Sequence, residues 1–288
     1  MKSARAKSYF ILPALGVSVL LCLAGVGLAL AGGNDRLAWW GVAFAALPLP
    51  VILARLQWGG AARVSESAPL GLGVSAAGTL LAAWEWLMER TAGWPPFAVA
   101  CVAFGLLLLY VYWYARFGRF SSIRLEVGNK LPEFRLTDLD GASVDSGEFV
   151  GRPTVLLFYR GNWCALCMGQ VAELAARHEE FAGLGVDVVL VSPQDPERSR
   201  ELAARHDVPF RFLVDPGSAA AAELDIAVGQ GVPAGFARGY PRDTVMPTVI
   251  VTNANGTILY SDQTDNYRVR PEPDIFLAIL KRTGAIAG

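Results

Sequence analysis

The sequence predicts an α-helical membrane domain followed by an α/β domain with a mixed central sheet. The chain has 288 residues, and its first 120 contain four apolar runs that are each long enough to cross a bilayer. From residue 121 onward, short apolar segments alternate with amphipathic ones, as strands alternate with helices in α/β proteins. We therefore place a membrane domain at 1–120 and a second domain at 121–288.

Each of the four apolar runs has about 20 residues, enough for a helix rising 1.5 Å per residue to cross about 30 Å of hydrocarbon. A buried helix of a soluble protein is a poor alternative, because such helices keep a polar face. The third run is the weakest, since several glycines and Glu85 interrupt it. The runs are 9–31, 37–58, 69–88 and 96–117.

Positive charges occupy alternate loops. Loops rich in lysine and arginine stay in the cytoplasm, so we expect the N-terminus and the second domain to face the cytoplasm. The protein would then be a multi-pass membrane protein, with the lipid bilayer as a partner. The rich segments contain Lys2, Arg5 and Lys7, then Arg55 and Arg63, then Arg116, Arg119, Arg124 and Lys130, whereas the other loops have only Arg36 and Arg90.

Two other topologies remain open. The first run could be a signal peptide cleaved after Ala31, which would leave three spans and still a cytoplasmic second domain. Loss of one span, such as the third, would instead place the second domain outside the cytoplasm.

Five segments of the second domain are typical of strands and hairpins. Apolar runs at 154–159, 186–192 and 210–215 suit buried strands. The Asp-Gly pair at 140–141 lies in an alternating segment, which is typical of a hairpin turn. The segment 248–262 contains a strand, an Asn-Gly turn and a further strand.

Helical segments alternate with these strands. One helix is expected from the cysteines to Gly183, and an Asp-Pro pair opens another at 195–206. A short alanine-rich helix at 217–224 and a closing helix at 271–282 follow. The Gly/Pro-rich loop 228–246 is long for a compact domain, which is typical of a functional lid or of a disordered connection.

Two of the four cysteines lie three residues apart in "FYRGNWCALC", between a buried strand and a helix. A helix N-terminus stabilises the thiolate, which is the reactive form of cysteine. The spacing lets Cys164 and Cys167 close a small disulfide ring across one helical turn. We therefore expect a redox-active pair, with Arg160 as a nearby positive charge. Cys22 and Cys101 lie singly in apolar runs, where packing or, alternatively, an electron relay would explain them.

Other uses of the pair are less well supported. A structural zinc site needs four ligands, and the chain offers one Cys-x-x-Cys pair and two histidines, His178 and His206. An inert disulfide is the remaining alternative. We expect no metal and no cofactor, and the net charge of −1 gives no indication of a nucleic-acid partner.

The second domain resembles the alkyl hydroperoxide reductase and thiol-specific antioxidant family, the redoxin branch of the thioredoxin fold. The resemblance covers about 127–283 and none of the membrane domain. It implies that Pro247 follows a cis peptide bond beside the cysteines, and that Trp163 and the backbone of Met246 contact the substrate. A trans proline opening a strand and a surface tryptophan are the plainer alternatives. The matching motifs are "GNKLPEFRLTDLDG", "FYRGNWCALC", "VVLVS", "FLVDP" and "MPTVIV".

The resemblance leaves two reactions open. In thiol–disulfide exchange, Cys164 attacks a protein disulfide and Cys167 resolves the mixed disulfide. In peroxide reduction, the peroxiredoxin pattern Pro-x-x-x-Thr-x-x-Cys makes Cys167 peroxidatic and Cys164 resolving. Arg160 and Cys164 then stand where that pattern has proline and threonine, which weakens the peroxidase case.

The catalytic arginine of peroxiredoxins is replaced by Pro247, and Arg238 or Arg242 could substitute for it. Either reaction implies a protein disulfide or hydroperoxide substrate and a dithiol reductant such as a thioredoxin or glutathione. A third possibility is a membrane module whose cysteines only tether a client protein.

Overall fold

The computed structural model describes residues 2–89, 93–236 and 238–286, so Arg90 of the charge pattern lies outside the described residues. The chain forms two compact units. One contains 9–59 and 64–116, and the other contains the chain up to Ser8, Gly60–Arg63 and the chain from Phe117 onward. The second unit thus takes two short segments from within the predicted membrane domain.

The expected four apolar helical spans are confirmed, and each is long and apolar enough to cross a membrane. They are Ala4–Leu30, Arg36–Trp58, Pro69–Met88 and Trp94–Tyr114. The helices are α1 (Lys2–Leu30), α2 (Arg36–Ala46), α3 (Pro48–Trp58), α4 (Pro69–Trp84) and α5 (Trp94–Leu108).

Two of these helices meet at glycines. A Cβ added to Gly78 of α4 would lie 2.5 Å from the Gly41 carbonyl oxygen of α2. One added to Gly41 would lie 2.6 Å from the Gly78 carbonyl oxygen. Ser75 also donates a hydrogen bond across this contact, to the Ala45 carbonyl at 2.7 Å. Small residues let apolar helices approach this closely when the hydrophobic effect cannot drive their association.

Replacing Gly78 by alanine is therefore expected to destabilise the helical unit by about 1–3 kcal/mol, because backbone must move to admit the new methyl group. The measurement is the midpoint of thermal unfolding of the full chain in detergent. Gly73→Ala is the matched control, since a Cβ there meets no atom within 4 Å. Equal midpoints for the two variants would contradict the prediction.

The second unit is built on a mixed sheet, as the sequence predicts. Within the described residues the sheet has seven strands in the order β2-β1-β5-β4-β3-β8-β9. Strands β3, β4 and β5 are parallel to one another, whereas β8 runs antiparallel to β3. The strands are β1 (Arg135–Thr137), β2 (Ser143–Asp145), β3 (Thr154–Phe158), β4 (Asp187–Ser192), β5 (Arg211–Val214), β6 (Ala227–Val228), β7 (Thr244–Val245), β8 (Thr248–Thr252) and β9 (Ile258–Asp262).

Helices follow the parallel strands, so β3 is buried along all five residues. Strands β6 and β7 pair only with each other and close the base of the long loop. The helices of this unit are α6 (Ala165–Ala175), α7 (His178–Gly183), α8 (Pro196–His206), α9 (Ala219–Glu223) and α10 (Pro273–Arg282).

The single helix expected from the cysteines to Gly183 is in fact two helices, α6 and α7. Arg177 leaves the helical conformation, with φ at −115°. Its guanidinium pairs with Glu180 and with Asp274 at the start of α10. His178 Nδ1 lies 2.9 Å from the Ala175 carbonyl oxygen near the end of α6. Contacts with a distant helix thus accompany the division of a segment whose local periodicity is continuous.

Candidate active site at the Cys164–Cys167 pair

The junction between β3 and α6 holds both cysteines. Cys164 is the N-cap residue of α6, and its carbonyl accepts a hydrogen bond from the Met168 N–H at 3.0 Å. Cys167 lies in the first turn of the helix, where the unpaired N–H groups and the helix dipole favour negative charge. Gly161 allows the turn before them, because its φ is +136° and a Cβ there would lie 2.9 Å from Trp163 Nε1.

The two sulfurs are chemically unequal. Both thiols are free, and Cys164 is 6% exposed against 1% for Cys167. A hydrogen bond from the Cys167 thiol lowers the pKa of Cys164, and the charges of Arg160 and Arg270 lower it further against the opposing effect of burial. Burial raises the pKa of Cys167 well above its ordinary value, and the hydrogen bond to Cys164 adds to that increase. These opposite pKa shifts favour the thiolate form at Cys164 and the protonated form at Cys167.

Arg160 lies in the turn before the cysteines and is 9% exposed. Its guanidinium carbon is 4.5 Å from the centroid of the Trp163 ring, and its Nη2 donates to the Gly231 carbonyl at 2.7 Å. Its own carbonyl accepts a hydrogen bond from the Thr244 hydroxyl at 3.0 Å. These contacts hold the Arg160 guanidinium in place, and its charge lowers the pKa of Cys164.

Arg270 is a site residue that the sequence analysis missed. It is 3% exposed and lies between β9 and α10. Its Nε and Nη2 have no hydrogen-bond partner within the described part of the chain. Its backbone runs beside α6, since Gln170 of that helix donates to the Pro271 carbonyl at 3.5 Å. The available signal was a pair of arginines, Arg268 and Arg270, just before the closing helix.

Arg238 and Arg242, the arginines that the sequence offered instead, are both exposed. Arg242 contributes a backbone carbonyl, which accepts from the Val232 N–H at 3.2 Å within the long loop. The charges that lower the pKa of Cys164 come from Arg160 and Arg270.

A buried glutamine organises the turn before the cysteines. Gln194 follows β4 and is 1% exposed. Its Oε1 accepts from the Asn162 N–H at 2.9 Å, and its Nε2 lies 2.9 Å from Asn162 Oδ1 and 3.0 Å from the Tyr159 hydroxyl. Asn162 in turn donates to the Arg198 carbonyl at 2.7 Å. The sequence analysis gave no role to Gln194, whose only signal is a polar residue two positions after a buried strand.

The cis bond implied for Pro247 is a wrong expectation, because the Met246–Pro247 peptide bond is trans. The trans form is the favoured one for X–Pro bonds, and here the proline precedes β8 in extended chain. The Met246 N–H donates to the Ile226 carbonyl at 2.7 Å, and the Met246 carbonyl accepts from the Thr248 hydroxyl at 2.8 Å. Both backbone groups of Met246 are therefore engaged within the chain.

The loop 228–246 is tied to the turn before the cysteines. Phe236 of this loop lies with its ring centroid 6.4 Å from that of Trp163, which is half-buried. Ser8 donates to the Val232 carbonyl at 2.6 Å and accepts from the Ala234 N–H at 2.8 Å. The loop thus joins Trp163 and Arg160 to the first residues of the chain.

Comparison with known proteins shows which family the second unit resembles. Residues 127–261 match the family model described as the AhpC/TSA family. This segment, which is just under half of the chain, is therefore similar to AhpC/TSA redoxin domains. It contains both cysteines and most of the mixed sheet, whereas the match does not reach the four apolar helices.

Two curated relatives and one solved structure illustrate the similarity. The chain is 30% identical over 143 residues to chloroplastic peroxiredoxin Q of Gentiana triflora, covering 49% of this chain and 61% of that protein. It is 23% identical over 95 residues to the thiol-disulfide oxidoreductase ResA of Bacillus cereus, covering 33% of this chain and 54% of that protein. The crystal structure of peroxidoxin BcpB from Mycobacterium tuberculosis superposes with a TM-score of 0.46 and 20% identity, covering 55% of this chain and 97% of that chain.

The chain thus spans less than two thirds of the length of either curated relative. These relatives are named as a peroxiredoxin and a thiol-disulfide oxidoreductase, which supports a redox enzyme at the level of the family.

Proposed function

We propose that the protein is a membrane-anchored thiol–disulfide oxidoreductase in which Cys164 attacks a substrate disulfide and Cys167 resolves the product. The observation that carries this proposal is the unequal placement of the two sulfurs, since Cys164 is the N-cap residue of α6 and is 6% exposed, whereas Cys167 is 1% exposed. Cys164 has the lowered pKa and two nearby arginines, whereas Cys167 is a buried thiol that donates to it. A nucleophile must be deprotonated to react, so the first attack belongs to Cys164.

The reaction then balances as two exchanges. The Cys164 thiolate forms a bond to one substrate sulfur, and the other substrate sulfur leaves as a thiolate. Cys167 loses its proton and attacks the Cys164 sulfur, which releases the substrate as a dithiol and leaves a Cys164–Cys167 disulfide. The substrate gains two electrons and the enzyme loses two. A dithiol reductant, such as a thioredoxin, or glutathione would restore the reduced pair.

Hydroperoxide reduction is the second candidate, and the peroxiredoxin names of several relatives favour it. The sequence pattern would make Cys167 the peroxidatic residue. A buried thiol with a raised pKa is a poor first nucleophile. If the protein reduces hydroperoxides, the geometry instead favours oxidation at Cys164, with Cys167 closing the disulfide.

The experiment compares the two substrates on the full-length protein in detergent, with dithiothreitol as the reductant. We expect catalytic reduction of insulin disulfides that exceeds consumption of an organic hydroperoxide. A dimedone probe, read by mass spectrometry, reports which cysteine forms a sulfenic acid. Faster peroxide turnover with dimedone on Cys167 would replace our proposal with the peroxidase alternative. If the protein binds a client protein without turnover, its cysteines only tether that client and the enzyme proposal is wrong.

We further propose that the four apolar spans anchor the redoxin domain on the cytoplasmic face of a membrane. Their length and composition support insertion. The chain up to Ser8, Gly60–Arg63 and the chain from Phe117 onward belong to one unit. The excess of lysine and arginine in these segments and in the span ends next to them supports the cytoplasmic side.

The topology is tested with two reporters fused to the C-terminus. Green fluorescent protein is expected to fluoresce, and alkaline phosphatase, which needs an oxidising compartment, is expected to be inactive. Fusions after Arg36, in the loop expected outside, are the matched control and should give the opposite pattern. An active phosphatase at the C-terminus would reverse the orientation.

A further inference from the structure

The helix that carries the cysteines is contacted by a segment from between the second and third apolar spans. A Cβ at Gly169 of α6 would lie 2.7 Å from both the Ala61 carbonyl carbon and the Ala62 nitrogen. Ala62 is 3% exposed. A glycine inside a helix costs about 0.5–1 kcal/mol relative to alanine. The close approach of the 61–62 backbone explains why this position has no side chain.

Arg63, the next residue of this segment, joins two parts of the redox site. Its Nη2 forms an ion pair with Glu173 near the end of α6. Its Nε donates to the backbone carbonyl of Arg270 at 3.0 Å, and its Nη1 lies 3.3 Å from a Glu272 carboxylate oxygen. One guanidinium thus connects the cysteine helix with the stretch that carries Arg270. The guanidinium can make these contacts together because its N–H donors are spread over a planar group, whereas a lysine ammonium is a single point charge.

We propose that Arg63 is a positioning residue of the redox site, which holds Arg270 beside the Cys164 sulfur and so sets the reactivity of that sulfur. This inference rests on the proposed role of Cys164 as the attacking thiolate. The segment Ala61–Arg63 then belongs to the redoxin machinery, although it lies in the sequence between two apolar helices.

Within the described residues, the groups that lower the pKa of Cys164 come from three elements. Cys167 lies on its own helix, Arg160 lies in the turn before it, and Arg270 lies on the segment after β9. Tyr159 interacts with Cys167, and burial raises its pKa, so it stays neutral. Arg63 contacts the backbone of Arg270 rather than the sulfur. Its removal should therefore change the reactivity of Cys164 only through the position of Arg270.

The test measures the rate of Cys164 alkylation by iodoacetamide against pH, on the reduced full-length protein, with the modified peptide quantified by mass spectrometry. We expect Arg63→Gln to shift the midpoint upward by about 0.5–1 pH unit, which lowers the rate about 3–10-fold below that midpoint. Arg63→Lys should restore part of the shift. Glu272→Gln keeps Arg63 and removes only its ion pair with the Glu272 carboxylate. It should therefore give a smaller upward shift of the midpoint.

Arg124→Gln is the matched control, because Arg124 also binds a carbonyl and a carboxylate, both of Glu223, within the same unit. It should leave the midpoint unchanged. If Arg63→Gln and Glu272→Gln also leave the midpoint unchanged, Arg63 has only a structural role and the inference is wrong. Alkylation needs no disulfide substrate, so a shift in an enzyme without exchange activity would refute the proposed function and retain the positioning role.

Discussion

Replacing Cys164 by serine is expected to lower disulfide reduction by the full-length protein about 10³-fold or more, the scale on which loss of a nucleophile acts. The serine hydroxyl stays protonated near neutral pH, so the first bond to the substrate sulfur does not form. Cys167→Ser should also stop turnover, but at a later step. Its Cys164 is still able to attack, so the mixed disulfide with the substrate should accumulate.

The measurement combines an insulin turnover assay with non-reducing electrophoresis of the trapped complex. Cys22→Ser and Cys101→Ser are matched controls, since both remove a free thiol from an apolar helix, and both should keep the wild-type rate. The assignment fails if Cys164→Ser traps the substrate and Cys167→Ser does not, because Cys167 would then be the attacking residue.

Alkylation of Cys164 is expected to reach half of its maximal rate near pH 6, because the pKa of this thiol is lowered to about 6. The direction of the pH dependence of alkylation follows from the lowered pKa of Cys164. Thiolate is abundant above the midpoint and is lost as the pH falls through it. An ordinary cysteine, with a pKa of about 8.5, would be mostly protonated at neutral pH.

Arg270→Gln should move this midpoint upward by about one unit and lower the rate about tenfold below pH 6, because a unit of pKa changes the thiolate fraction tenfold in that range. Arg238→Gln is the matched control, since it removes an exposed arginine of the loop 228–246. A midpoint close to 8.5 in the wild-type protein would contradict the thiolate assignment. An equal upward shift of the midpoint in the Arg238 variant would show that the effect does not depend on Arg270 in particular.

The parts of the site that the sequence predicted are local in the chain. Cys164 and Cys167 lie between a run of buried strand residues and an amphipathic helix, and both patterns are visible within about twenty residues. Arg160 is four residues from Cys164, so its proximity also follows from the chain. The mixed sheet follows in the same way from the alternation of strands and helices.

The remaining parts of the site depend on long-range packing. Arg270 reaches the cysteines because the stretch before α10 runs beside α6. Gln194 reaches Asn162 because β4 is the parallel neighbour of β3. Neither contact has a periodic signal in the sequence. The same holds for the division between α6 and α7, which contacts of Arg177 with Asp274 and Glu180 accompany.

The cis bond expected at Pro247 was a property of the fold family rather than of this chain. The resemblance supplied it, and nothing in the residues around Met246 required it. A single feature that is expected only from a family resemblance is therefore less secure than the sheet, which many residues of the chain specify together.

The compact unit that contains both cysteines is built from three separate chain segments, and the ribosome makes these segments at different times. Ser8 and Arg63 are synthesised well before Cys164, and one compact unit contains all three. We expect the two early segments to remain unpacked until the residues from Phe117 onward have been made. Assembly of the thiolate site would then be the last event of biogenesis, so an incomplete nascent chain would not yet carry a fully reactive cysteine.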